Sequence, residues 1–173
     1  AKIAVVLERL KALGTACEFG ASIDTDAYIR SSEPLEGILA DHGVLDGPKH
    51  VLLAQEYHTE DHKRDTTFVI GSWFVARNEP RALEIIQAWY DVPEKFPELA
   101  HLKKKNPQGL NICWDRGMHP YYKDEVSLAA PHLFSCPRSW FIRHNWFKTE
   151  QFDAELRDVV VRRMGDEGCA ICD

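Results

Sequence analysis

The segment Ser22-Ile23-Asp24-Thr25-Asp26-Ala27-Tyr28-Ile29 places two carboxylates, one residue apart, at the exit of a short apolar run. In an extended backbone residues i and i+2 point the same way, so Asp24 and Asp26 can share one ligand, one directly and one through water. A hard divalent cation takes carboxylate oxygens, keeps some waters and completes its shell with phosphates. The pair therefore reads as a place for Mn2+ or Mg2+ together with a diphosphate. The bland alternative is a turn carrying solvated carboxylates. Position favours the site, because a helix and a strand-like run lead into the acids and a turn marked by Ser31, Ser32 and Pro34 follows them.

Other residues with chemical potential are scattered more widely. Glu56 and His58 follow an apolar strand and could face a substrate, Glu56 as a catalytic carboxylate, although strand-exit loops carry such residues for solubility too. Asp115, between Trp114 and Arg116, is a second carboxylate, to be weighed against a surface ion pair. Trp73, Trp89, Trp114, Trp140 and Trp146 offer indole faces on which sugar rings pack, but Trp89 shares a helical stripe with Leu83 and Ile86 and belongs to the core. Cys17, Cys113 and Cys136 read as small buried residues, and Cys169 with Cys172 as a free pair on a tail.

Composition sets the frame. The chain has 173 residues, 45% hydrophobic and 10% aromatic, enough for one domain with a real core. The expected boundaries are 1–165 for that domain and 166–173 for a tail. A formal net charge of -6 disfavours a nucleic-acid partner, and the basic run Lys103 to Lys105 reads as a solvated loop. No apolar stretch approaches the roughly 20 residues that span a bilayer. The chain thus reads as soluble, a cytoplasmic or Golgi-lumenal piece of a longer protein.

The positioning elements follow from periodicity. Ile3, Val6, Leu7, Leu10 and Leu13 fall at helical spacing, with Gly14 placed to end the helix. Strands are expected at Phe19 to Ile23, Val51 to Gln55, Thr67 to Ala76 and Val126 to Ala129, with an extended piece at Ser139 to His144. Gly71 and Ser72 interrupt the third of these, where glycine marks a bulge or a close approach by a ligand. Helices are expected at Leu35 to His42, from Pro80 with Asn78 as cap and Trp89 and Tyr90 in the stripe, and near Leu110 to Trp114. A last one uses Phe152, Leu156, Val159, Val160 and Met164. Strands alternating with helices predict an α/β fold.

In this order the features resemble the GT-A fold, DxD-containing nucleotide-diphospho-sugar glycosyltransferases, over much of Lys2 to Lys148. The resemblance rests on Ile23-Asp24-Thr25-Asp26-Ala27-Tyr28, on Gly71-Ser72-Trp73-Phe74-Val75-Ala76-Arg77-Asn78 leading to Trp89, on Pro107-Gln108-Gly109-Leu110-Asn111, and on Ile142-Arg143-His144-Asn145-Trp146. It implies a mixed, mainly parallel sheet flanked by helices, here lacking the N-terminal strand that grips the nucleotide base. It implies a metal-dependent hexosyltransferase moving a sugar from a nucleotide-diphosphate donor to a carbohydrate or other hydroxyl acceptor. Asp26 would then ligate Mn2+ or Mg2+ directly, Asp24 would ligate it or help through the ribose, sugar or a bound water, and His144 would close the shell. Gly71, Ser72, Gln108, Gly109 and His58 would contact substrate.

Two departures bear on that reading. Ile70 stands where the family commonly has Asn, and Pro107 replaces the acid expected before Gln108, which leaves Asp115 as the nearby substitute. The alternatives are an inactive GT-A-like binding module and a Mg-dependent aspartate-nucleophile phosphatase. The phosphatase wants a small hydroxyl residue soon after the acids and a further acidic pair at a strand end. Ala27 and Tyr28 follow the acids instead, and Asp166-Glu167 falls in the tail.

Overall fold

The computed structural model describes residues 2–24, 27–55, 69–97, 113–134, 139–144 and 154. It is a mixed α/β fold, with a four-stranded sheet between two helical layers and a separate two-stranded ribbon. The first helix, α1 (Lys2–Leu13), buries Ile3, Leu7 and Leu10 as the spacing predicts. Gly14 ends it with φ +53°, a left-handed turn that suits glycine. The chain then enters β1 (Phe19–Ile23). Gly20 lets the helix lie close, since a Cβ there would stand 2.1 Å from Leu10 Cδ2.

The main sheet has the order β1-β4-β3-β5, with β3 at Val51–Gln55, β4 at Val69–Arg77 and β5 at Val126–Ala129. The sheet is mixed as expected, but its strand pairings are mainly antiparallel rather than mainly parallel. β4 lies between β1 and β3 and pairs antiparallel with both, while β3 and β5 pair in parallel. It follows that β1, β3 and β5 share one direction and only the inserted β4 opposes them. The central strands β3 and β4 are apolar on both faces because both of their faces are covered. Val51 and Leu53 pack toward α1 and α3 (Pro80–Lys95), whereas Leu52 and Ala54 pack toward α2 (Leu35–Asp41) and the ribbon.

Three elements differ from the sequence reading. Glu79, not Asn78, is the residue before α3, and it makes no capping hydrogen bond. The Asn78 amide instead donates to the carbonyls of Gly14 and Cys17, tying the α1–β1 turn to the end of β4. Pro93 does not end α3, which continues to Lys95. A proline in the last turn forfeits one backbone bond, and burial of Trp89, Val92 and Pro93 outweighs that loss. Beyond it, Cys113–Met118 form a π-helical turn that leads into α4 (His119–Tyr122), and Trp114 and Met118 are buried against α3. Cys17 is exposed rather than buried. Cys136, Cys169, Cys172, Lys103 to Lys105 and nearly all of the last expected helix lie outside the described residues.

The ribbon pairs β2 (Ala27–Ile29) with β6 (Ile142–His144). It is fixed to the main sheet by aromatic rings. Trp73 of β4 stacks on Phe134 of α5 (Pro131–Phe134) with centroids 3.8 Å apart, and Phe134 meets Phe141 edge-on at 5.7 Å. Arg30 and Ser31 donate their backbone N–H groups to the Phe141 carbonyl, and the Ser139 hydroxyl donates to the Ile142 carbonyl.

Candidate functional site

Because β1, β3 and β5 run the same way, one edge of the sheet collects their carboxyl ends and the start of β4. Open α/β sheets place ligands at such an edge. Asp24 leaves β1 here and is half-buried. The last pair of the β1–β4 ladder is Ile23 with Trp73, so the next residues along the two strands are Asp24 and Ser72. Ser22, one step before, is buried at 6% exposure.

Gly71 and Ser72 sit in the bulge that their sequence suggests. Leu53 pairs with Phe74 and Ala54 with Ile70, so Gly71, Ser72 and Trp73 have no counterparts on β3. An insertion of three residues reverses side-chain parity. Ile70 and Phe74, four apart, would otherwise face one side. Instead Ile70 joins the α2 side and Phe74 the α3 side, while Trp73 turns to the α2 side and reaches Phe134. The bulge thus does two things at one place: it presents small residues to the edge and anchors the layer that carries the ribbon.

Within the acid motif, Thr25 and Asp26 lie outside the described residues. The Ala27 N–H donates to the Asp24 carbonyl at 3.1 Å, the contact of a reverse turn, and β1 and β2 belong to different sheets. Asp24 thus lies where the chain leaves the main sheet for the ribbon. The reason is local, since Asp is favoured at the first position of a turn. The ribbon register sets Ala27 opposite His144, so the strand that follows the motif runs beside the strand that ends at the expected third ligand.

Of the three expected metal ligands, only Asp24 has a described side chain, and no group of three His, Cys, Asp or Glu able to hold a metal occurs among the described residues. By type, two carboxylates and an imidazole suit Mn2+ and Mg2+. Asp26, Glu56, His58, Gln108 and Gly109 lie outside the described residues. Asp115 lies in the π-helical turn against α3, on the face of the sheet opposite the ribbon. Trp73, Trp89 and Trp114 are core residues at 1–4% exposure, whereas Trp140 is 41% exposed.

Two residues not singled out from sequence stand beside these. Tyr28 pairs across the ribbon with Arg143, and each is only 9% exposed. A guanidinium is almost never buried without functional or structural demand. The signal was present in Trp140-Phe141-Ile142-Arg143-His144, where a charged residue interrupts an apolar run. Elsewhere His42 Nδ1 lies 2.9 Å from Ser127 Oγ, joining α2 to β5, and burial lowers the His42 pKa, with Asp41 partly opposing it.

No family model and no curated protein sequence matches the chain. A similar solved structure is the crystal structure of a glycosyltransferase involved in the glycosylation of the major capsid of PBCV-1, with a TM-score of 0.54 at 12% identity. The match covers 93% of this chain and 78% of that one. The fold is glycosyltransferase-like. No helix among the described residues is long and apolar enough to cross a membrane.

Proposed function

We propose that this chain is a metal-dependent glycosyltransferase of the GT-A type, moving a sugar from a nucleotide-diphosphate donor to a carbohydrate or other hydroxyl acceptor. The observation that carries the reading is the ribbon register, Ala27 opposite His144, at the edge where Asp24 leaves β1 and the Gly71–Trp73 bulge opens. The fold of the similar glycosyltransferase supports it. In this reading Asp24, Asp26 and His144 hold Mn2+ or Mg2+, which when bound would neutralise charge growing on the leaving diphosphate. Gly71 and Ser72 leave room for the donor sugar, and Gln108, Gly109 and His58 complete the substrate contacts. Glu56 is the carboxylate assigned to acceptor activation, since Asp115 stands on the face of the sheet opposite the ribbon.

Calorimetry tests this with UDP, GDP and ADP, each with Mn2+ and with chelator. The expected result is binding of at least one nucleotide that requires Mn2+ and is lost in Asp26→Ala with the melting temperature kept. Equal nucleotide affinity in Asp26→Ala would sink the metal assignment. Nucleotide-independent behaviour throughout would favour the binding module, to which Pro107 in place of an acid already points.

A further inference from the structure

We infer that Trp140 is the platform on which the non-reacting part of a carbohydrate acceptor stacks. The inference rests on the glycosyltransferase reading and names a subsite for its acceptor. Trp73, Trp89 and Trp114 are buried, and Trp140 is the indole that the described surface exposes, at 41%. It is held firmly all the same. Its N–H backbone group donates to the His132 carbonyl at 3.0 Å, and its ring meets Phe141 edge-on at 5.8 Å and 84°. Phe141 in turn meets Phe134, and Phe134 stacks on Trp73 in the β4 bulge. Trp140 is the exposed end of a four-ring ladder whose other end lies at the candidate site.

The surroundings suit a sugar better than a protein core. The Arg30 N–H donates to the Phe141 carbonyl at 2.8 Å, which brings exposed Ile29 and Arg30 alongside the Trp140 segment. Ile29 and the indole offer apolar area, and exposed Arg30 offers hydrogen-bonding groups nearby. A flat aromatic face with a few polar groups beside it is how a concave or shelf-like site orients a ring bearing hydroxyls. Trp140 stands four positions before His144, at most about 13 Å of extended chain. That separation places the indole beyond the reacting centre and within reach of an acceptor longer than one sugar.

The test uses the whole chain labelled with 15N in its five tryptophan side chains. The Trp140 indole resonance is assigned from Trp140→Phe, and lactose, maltotriose and mannobiose are titrated separately. At least one of them should move the Trp140 resonance more than any other indole. Trp140→Ala should weaken that saccharide's affinity about tenfold, with Mn2+-dependent nucleotide binding unchanged. If no saccharide moves the Trp140 resonance, or if Trp140→Ala binds as well as the parent, the platform is overturned. Nucleotide binding with an unmoved Trp140 would reject the platform and keep the transferase. A moved Trp140 in a chain that binds no nucleotide would keep the platform and reject the transferase.

Discussion

The two ends of the main sheet are both rich in charged and polar residues, yet they are built on opposite principles. At the amino ends of β3 and β5, His50 pairs with Glu79 through Nδ1 and lies 3.8 Å from Glu125 through Nε2. Arg81 grips both Glu125 oxygens, at 2.6 and 2.7 Å, and reaches Glu84 at 2.9 Å. Arg77 donates to the carbonyls of Val44, Leu45 and Gly47. Each group faces a partner supplied by the fold. At the carboxyl ends the regularity fails instead: the ladder bulges at Gly71 to Trp73, the chain changes sheets between β1 and β2, and an arginine is buried beside His144. Polar residues that close on one another are struts, and polar residues at a break in regular structure are where a ligand has room. Local irregularity separates the two better than charge does.

The largest expected effect tests the strut end. Arg77→Met removes a half-buried guanidinium from three carbonyls of the 44–47 turn. Hydrogen bonds to a charged group contribute about 1.5–3 kcal/mol each but share one side chain here, so a total loss of about 3 kcal/mol is expected. Urea unfolding should show a lower midpoint at unchanged slope. Mn2+-dependent nucleotide affinity of the folded protein should not move. A variant that kept its stability and lost binding would reverse the assignment of the two ends.

Arg143 sharpens the comparison from the other side. If it serves a ligand, the main effect of Arg143→Met should be on binding, with only a smaller one on stability. Nucleotide-diphosphate affinity with Mn2+ should fall about tenfold, which is about 1.4 kcal/mol. If it is a strut, unfolding measurements should instead show a loss of about 3–5 kcal/mol, the cost of stranding its partner. The two outcomes differ in kind, so one variant decides.

Much of the architecture could be read from residue order, because the relevant signals are local. Gly14 closes α1, the apolar run at Val51 forms β3, and Gly71-Ser72 inside a β-branched stretch becomes the bulge. What could not be read depends on which strands meet. Nothing in the sequence of β4 says that it inserts antiparallel between β1 and β3, and nothing near Asp24 says that the next strand joins a different sheet. The same limit explains Asn78, a good cap by type that is drawn away by two carbonyls 61 and 64 residues distant. At the site, residue types suggested Asp24 and His144, and the ribbon register sets β2, which follows the acid motif, beside the strand that ends at His144. Arg143 was missed because burial, rather than motif, makes it notable.

The smallest expected effect concerns acid sensitivity at the strut end. Hydrogen bonds from Arg81 hold the Glu125 carboxyl below its ordinary value, with burial opposing and His50 assisting. A carboxylate with a depressed folded-state pKa binds fewer protons folded than unfolded, so stability rises with pH through that window. Its contribution is complete above the unfolded value of about 4.3 and is lost as pH falls through the folded one. Glu125→Gln should therefore melt a few degrees below the parent at pH 7, and the gap should narrow on acidification below about pH 4.5. Melting curves from pH 3 to 7 measure it. A gap as wide at pH 3 as at pH 7 would mean that Glu125 acts through packing alone. The electrostatic half of the contrast between the two ends would then rest on Arg77.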